Sequence, residues 1–258
     1  MQMEEKNQEI WREITDPNYG YFVICLSVIF FYVLSIVSMF FQSPSVAQKS
    51  KWKWKNISVS FVHSNISSIW AVSCFYERPD MAEDLITIFT PLSHNLVAFS
   101  VGYFVHDLID LIANQRKRQS LELIGHHIVI ITCFMVAVSS RHYVGYAVVA
   151  LMVELNSIFL HLRQLLQICG VSKFNPWYRF NSLINLATFI VFRILLLSWM
   201  TRWLVINKDA LPLVFYTLGS VGLAVMVAMN IILFYRLLRS DFISLKETDD
   251  SKKDNEKD

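Results

Sequence analysis

The chain alternates long apolar stretches with short polar ones. Seven stretches are near the roughly 20 residues that a helix needs to cross a bilayer. They run over about 20–41, 56–77, 87–112, 122–139, 143–165, 177–204 and 211–236. Spans 1, 4, 6 and 7 are clear, whereas spans 2, 3 and 5 carry several polar residues and rank lower by hydropathy alone. Segment 42–55 reads as a connector, and the charged stretch from about 240 has too few apolar residues to fold. The pattern predicts an all-α polytopic membrane protein of about seven transmembrane helices. Its expected parts are an extracytoplasmic tail (1–19), a first transmembrane helix (20–41), a main domain (50–240) and a disordered cytosolic tail (241–258).

Composition agrees. Hydrophobic residues make up 54% of the chain and charged residues 17%, with a mean hydropathy of +0.41. That is too apolar for a soluble domain of this size, and no nucleic-acid partner is expected. The first 19 residues have no basic stretch ahead of an apolar core, so the first span is expected to be its own anchor. Cys25, Cys74, Cys133 and Cys169 lack metal-type spacing, and no structural disulfide is expected.

The basic residues orient the spans. Lys49, Lys51, Lys53 and Lys55 precede span 2; Arg116, Lys117 and Arg118 separate spans 3 and 4; Lys173, flanked by Arg163 and Arg179, follows span 5; Arg236 and Arg239 end span 7. The alternate loops are poorer in positive charge. By the positive-inside rule the N-terminus is outside and the C-terminus cytosolic. The sequons Asn56-Ile-Ser58 and Asn65-Ile-Ser67 then fall at the cytosolic edge of span 2 and inside it, and neither is expected to carry a glycan.

Polar residues inside the spans gather near one depth. At about 1.5 Å per residue, His106, Asp107 and Asp110 lie in the last turns of span 3, level with His126 and His127 in the first turns of span 4. His63 and Asn65 in span 2, His161 in span 5, Asn181 and Asn185 in span 6 and Asn230 in span 7 fall at similar height, and Glu154 and Asn156 lie nearer mid-membrane. Buried ionisable groups cost about 2.5–3.5 kcal/mol each on insertion scales, so such groups should face one another or a wet cavity. An aspartate on one imidazole nitrogen would fix the tautomer and leave the other nitrogen as base or nucleophile. Satisfied helix–helix contacts are the plainer alternative. No metal is expected, since the repeated histidine boxes of membrane di-iron enzymes are missing. Span 1 has no charge or amide and is expected to pack outside this group. Arg163 is expected to snorkel, and Arg193 needs a carboxylate or carbonyl partner, with Glu154 a candidate by depth. Lys49–Lys55, with Trp52 and Trp54, reads as an interfacial anchor that could contact anionic lipid.

The segments YFVHDLIDLI (103–112), ELIGHHIVIITCF (122–134) and VELNSIFLHLRQLL (153–166) together resemble the TRAM/Lag1/CLN8 (TLC) domain over about residues 50–240. WKWKNISVSFVHS and FLHLRQLL are most similar to its small fluidity-regulating members. The resemblance implies that spans 2–7 form a bundle around a lipid cavity facing the cytosol. In the ceramide synthases of the same superfamily the His-His pair transfers the acyl group; here that pair is His126 and His127. The synthase pattern H-H-x-x-T is broken by Ile130, and Glu154, Asn156 and Ser157 stand where the synthases carry H-D-x-x-D.

The resemblance to the fluidity-regulating members implies regulation of membrane phospholipid acyl composition and fluidity, limiting incorporation of long-chain polyunsaturated fatty acids, at the plasma membrane. The endoplasmic reticulum is the alternative location. Candidate catalytic residues are His126, His127, Asp107 and Asp110; candidate binding residues are His63, His106, Glu154, Asn156, His161 and Asn230. The expected partners are phospholipids and fatty acyl chains. An acyltransferase using acyl-CoA as substrate, with no resident cofactor, is the alternative, and a channel- or receptor-type seven-helix protein is the second alternative. Against a receptor stand the missing extracytoplasmic cysteine pair and the ending NIILFYRLLRSDF.

Overall fold

Apolar runs in a bilayer must satisfy their backbone internally, which favours helices. All prolines of the described chain fall where they break no helix. Pro79, Pro91 and Pro176 open their elements and Pro212 precedes the last long helix. The structure is a computed structural model that describes residues 18–40, 51–114 and 118–243. Lys49, Arg116, Lys117, most of the N-terminal tail and residues 244–258 lie outside the described residues.

The described elements are α1 (Tyr19–Phe40), α2 (Lys51–Glu77), a 3-10 turn (Pro79–Ala82), α3 (Pro91–Asn114), α4 (Arg118–Ser140), α5 (Val144–Leu151) and α6 (Glu154–Ile168). Then come α7 (Pro176–Phe189), a π-helical turn (Ile190–Leu195), α8 (Leu196–Ile206), a 3-10 turn (Lys208–Ala210), α9 (Leu213–Leu238) and a closing π-helical turn (Arg239–Ile243). No strand occurs among the described residues.

Six segments are long and apolar enough to cross a membrane: 19–40, 91–114, 122–140, 144–168, 176–206 and 213–241. The seventh expected span is helical and, at 27 residues, long enough. Three lysines, six serines, His63 and two asparagines make it less apolar than the other six. By length and composition six helices qualify as spans, and α2 is not among them.

Boundaries moved where caps compete with hydropathy. Span 3 was expected from residue 87, but the helix starts at Pro91. Thr90 and Ser93 cap it reciprocally: the Thr90 N–H donates to Ser93 Oγ (2.8 Å) and the Ser93 N–H to Thr90 Oγ1 (3.1 Å), as in a capping box. In the preceding loop the carboxyl of Asp84 is held below its usual range, chiefly by the Thr87 hydroxyl. Span 5 is broken: Met152, Val153, Leu155 and Asn156 bond back only three residues, tightening the turn between α5 and α6. Such 3-10 stretches inside a helix mark hinges or strain.

The chain divides into two compact units, residues up to 170 and residues from 171. In the first, α1 and α4 pack on α3, and α2 packs along α6 and α3. Its core includes Phe31, Val97, Val101, Phe104, Phe134, Ala137, Val148 and Leu151. Helix α1 approaches α3 closely because residue 102 is glycine, where a Cβ would stand 2.8 Å from the Ile24 carbonyl oxygen. Ser27 Oγ donates to the Phe99 carbonyl across the same seam (2.6 Å). Span 1 was expected outside the polar group, but Phe31 is fully buried. Its ring is edge-on to His63 (5.8 Å) and Tyr103 (5.1 Å) and 6.4 Å from His106.

In the second unit, α7, its π-helical turn and α8 run continuously beside α9. Buried Arg193, in the π-helical turn, donates from Nη1 to Asn230 Oδ1 (2.8 Å) and lies over the Phe189 ring (5.5 Å). The partner sought for Arg193 is thus an amide carbonyl in its own unit. The end of α9 is tied back to α7: buried Asp241 accepts from Tyr178 Oη (3.1 Å) and Ser182 Oγ (2.8 Å). Lys173 Nζ donates to the Ser240 carbonyl (2.8 Å) and hydroxyl (3.0 Å). Ordered helix thus runs a few residues past 240.

Candidate functional site

Residues 52, 55 and 56 share one face of α2, and 107, 110 and 114 one face of α3, by helical spacing. The two helices are antiparallel, so the start of α2 meets the end of α3. A network of donors and acceptors results. Asp110 Oδ1 accepts from Lys55 Nζ (2.8 Å) and Asn114 Nδ2 (3.2 Å). Asp110 Oδ2 accepts from Trp52 Nε1 (2.8 Å) and Asn56 Nδ2 (3.2 Å). Asn56 Nδ2 also donates to Asp107 Oδ1 (2.6 Å).

Helix α4 completes the network. His127 Nε2 lies 2.8 Å from Asp107 Oδ2, and both side chains are almost enclosed, at 5% and 7% exposure. His127 Nδ1 lies 2.7 Å from the Leu123 carbonyl oxygen, one turn back. A carbonyl accepts only, so Nδ1 carries a proton. One further proton lies between Nε2 and Asp107. Whichever of these atoms holds it, His127 has no lone pair to offer. The expectation of an aspartate on one imidazole nitrogen holds in geometry, but the second nitrogen is also engaged. His126 stands next to it, half-buried, its ring perpendicular to that of His127 at 5.4 Å. A Cβ on adjacent Gly125 would meet nothing within 4 Å, so the face beside His126 is open there.

The remaining candidates are spread. His63 is fully buried, stacked on Tyr103 (3.8 Å between centroids, 8° between planes), with Nε2 3.4 Å from Ser100 Oγ. Phe104 stands between the two imidazoles, edge-on to His63 at 5.5 Å and to His127 at 5.7 Å. His106 turns toward Phe31 of α1, and its Nδ1 has no hydrogen-bond partner among the described residues. It lies in the same turns of α3 as Asp110, but donors from α2 occupy that carboxylate. Glu154, in the first turn of α6, accepts from Ser64 Oγ (2.6 Å). Asn156 is fully buried in the same helix, and His161 is half-buried two turns on. Asn230 belongs to the second unit, where it takes Arg193. Among the described residues no group of three or more His, Cys, Asp or Glu is gathered as a metal ion requires.

Two readings of the flanking charges change. Arg163, expected to snorkel, is only 8% exposed, because the protein encloses it on the inner face of α6. Of the proposed Lys49–Lys55 anchor, Lys55 and Trp52 point inward to Asp110, leaving Lys51 and Lys53 exposed. The alternation along a helix start decides this: 52, 55 and 56 face α3, and 51 and 53 face away.

From sequence Ser64 and Tyr103 are not singled out, and Trp52 reads only as an anchor residue. Their signal was there, as donors spaced three and four apart opposite acids spaced three apart. Asn56 was read only as a sequon. Its Nδ2 is committed to two carboxylates, and that of Asn65 to the Phe61 carbonyl (2.7 Å). Treatment with an N-glycosidase is therefore expected to leave the protein's gel mobility unchanged; a shift abolished by Asn56→Gln or Asn65→Gln would contradict this geometry.

The TRAM/Lag1/CLN8 pattern of the TLC domain matches residues 53–239. The chain is 55% identical over 214 residues to TLC domain-containing protein 2 of Danio rerio, covering 83% of this chain and 87% of that protein. It is 40% identical over 203 residues to TLC domain-containing protein 2 of Homo sapiens, covering 78% and 76%. Identity to TLC domain-containing protein 1 of Homo sapiens is 36% over 191 residues, covering 74% and 76%. Six helices are apolar enough to span a membrane, and the match over most of its length shows that this multi-pass membrane protein belongs to the TLC-domain family.

Proposed function

We propose that the protein regulates the acyl composition of membrane phospholipids, and so membrane fluidity, by limiting incorporation of long-chain polyunsaturated fatty acids. The observation that carries this reading is the His127–Asp107 pair with His126 beside it, inside helices able to span a bilayer, in a TLC-domain chain. A buried histidine–aspartate pair is costly in lipid and such groups mark functional sites by default. In this reading His126 meets the acyl carbonyl or headgroup, and His127 and Asp107 fix its surroundings. His63, Glu154, Asn156 and His161 line the approach from α2 and α6. The protein acts at the plasma membrane, N-terminus outside and C-terminus cytosolic, with Lys51 and Lys53 toward anionic lipid.

An acyl transfer from acyl-CoA is the second reading. It is favoured by one observation: His126 stands beside the buried His127–Asp107 pair, and imidazole is the side chain that serves most often as a general base.

Lipidomics of knockout cells, with and without polyunsaturated fatty-acid challenge, tests the first reading. Loss of the protein is expected to raise polyunsaturated phospholipid, and re-expression to reverse it. His126→Ala is expected to fail in that rescue while reaching the membrane at normal levels. Altered ceramides with unchanged phospholipids would overturn the reading. Full rescue by both His126→Ala and His127→Ala would remove the histidines from the mechanism.

A further inference from the structure

The two histidines are chemically equivalent in sequence but not in the fold. His127 has acceptors at both nitrogens, the Leu123 carbonyl and Asp107. What holds Asp107 in that role is on α2. Asn56 Nδ2 donates to Asp107 Oδ1 at 2.6 Å and to Asp110 Oδ2 at 3.2 Å. One amide therefore ties both carboxylates of α3 and leaves Asp107 Oδ2 as the atom presented to His127. Lys55 and Trp52 hold Asp110 from the same face of α2, so the amide itself is held in place at its second carboxylate.

We infer that Asn56 is the positioning residue of the histidine pair: it holds Asp107 on His127, so that His127 is engaged within the protein at both ring nitrogens. This engagement does not rest on the proposed function. Asn56 touches no reacting group and acts through Asp107.

The experiment is histidine ethoxycarbonylation by diethyl pyrocarbonate on the full-length protein in lipid nanodiscs, read residue by residue by mass spectrometry. The reagent attacks an imidazole lone pair, so His127 is expected to be protected in the wild type. Asn56→Ala is expected to raise its modification rate roughly tenfold, the scale of losing one hydrogen bond to a charged group. Asn56→Gln, which keeps the amide donor, is expected to restore protection. His94 is the internal control: it is buried and bonded through Nε2 to the Val138 carbonyl (3.1 Å), far along the bundle. An unchanged His127 rate in Asn56→Ala, with His94 still protected, overturns the inference. If His94 also becomes reactive, the alanine has loosened the whole unit, and Asn56→Gln decides: protection of His127 upholds the inference and exposure overturns it. The labelling needs no lipid activity, so its failure and that of the proposed function are separate results.

Discussion

Asp107→Ala is expected to lower stability by about 3–5 kcal/mol, the usual cost of removing one partner of a buried, hydrogen-bonded pair. The substitution would strand His127 Nε2 and leave Asn56 Nδ2 only its longer bond to Asp110. Asp110 differs in a way that sharpens the test. It accepts from Lys55, Trp52, Asn56 and Asn114, so Lys55→Ala leaves three donors and should cost much less. The Arg78–Asp80 pair supplies the control. It has the same 2.8 Å separation, but its side chains are 46% and 48% exposed, and exposed pairs contribute little. Thermal unfolding in nanodiscs, followed by tryptophan fluorescence, is the measurement. If Asp107→Ala proved as mild as Asp80→Ala, the network would not be holding α2, α3 and α4 together.

Phe31→Ala is the second large effect, at about 3–5 kcal/mol for a phenylalanine truncated in a core that cannot collapse around the void. Phe31 is fully buried and touches rings on two helices: Phe99 (5.1 Å) and Tyr103 on α3, and His63 on α2. Its neighbour Phe30 is 44% exposed, so Phe30→Ala changes nearly the same composition at little cost. The contrast matters because α1 ends before residue 53, where the family match begins. A helix outside the matched domain thus supplies a core side chain to it. Equal unfolding temperatures for Phe31→Ala and Phe30→Ala would show instead that α1 is a detachable anchor. In the lipidomic rescue, Phe31→Ala should also lose function, since it opens the α1 side of His63 and His106.

The candidate site was legible in parts. The match in depth between Asp107 and His127 followed from two helical rises and one short loop, and the structure joins them. The α2 half of the network was not read, although Trp52, Lys55 and Asn56 are three and four apart. Positive-inside reasoning took the lysines as an anchor, and the sequon pattern claimed Asn56. Both are rules about what a residue meets in solvent or lipid, and these residues meet α3. His106 differs in the opposite sense: it lies at the level of Asp110, but its ring turns toward Phe31 while donors from α2 occupy that carboxylate.

The sequence by itself determined that this protein is helical, that it has helices long enough to cross a bilayer, and that His126, His127, Asp107 and Asp110 lie at one level. Those follow from quantities that accumulate along the chain: hydropathy, rise per residue and the positions of proline. Only the tertiary structure decided that Trp52, Lys55 and Asn56 of α2 meet the carboxylates of α3, that Phe31 enters the histidine group, and that His127 is engaged at both nitrogens. Each depends on the rotation and approach of one helix against another. A glycine at 102, a cap at Thr90 and a 3-10 turn at Met152 set that geometry, and no sum along the sequence records it.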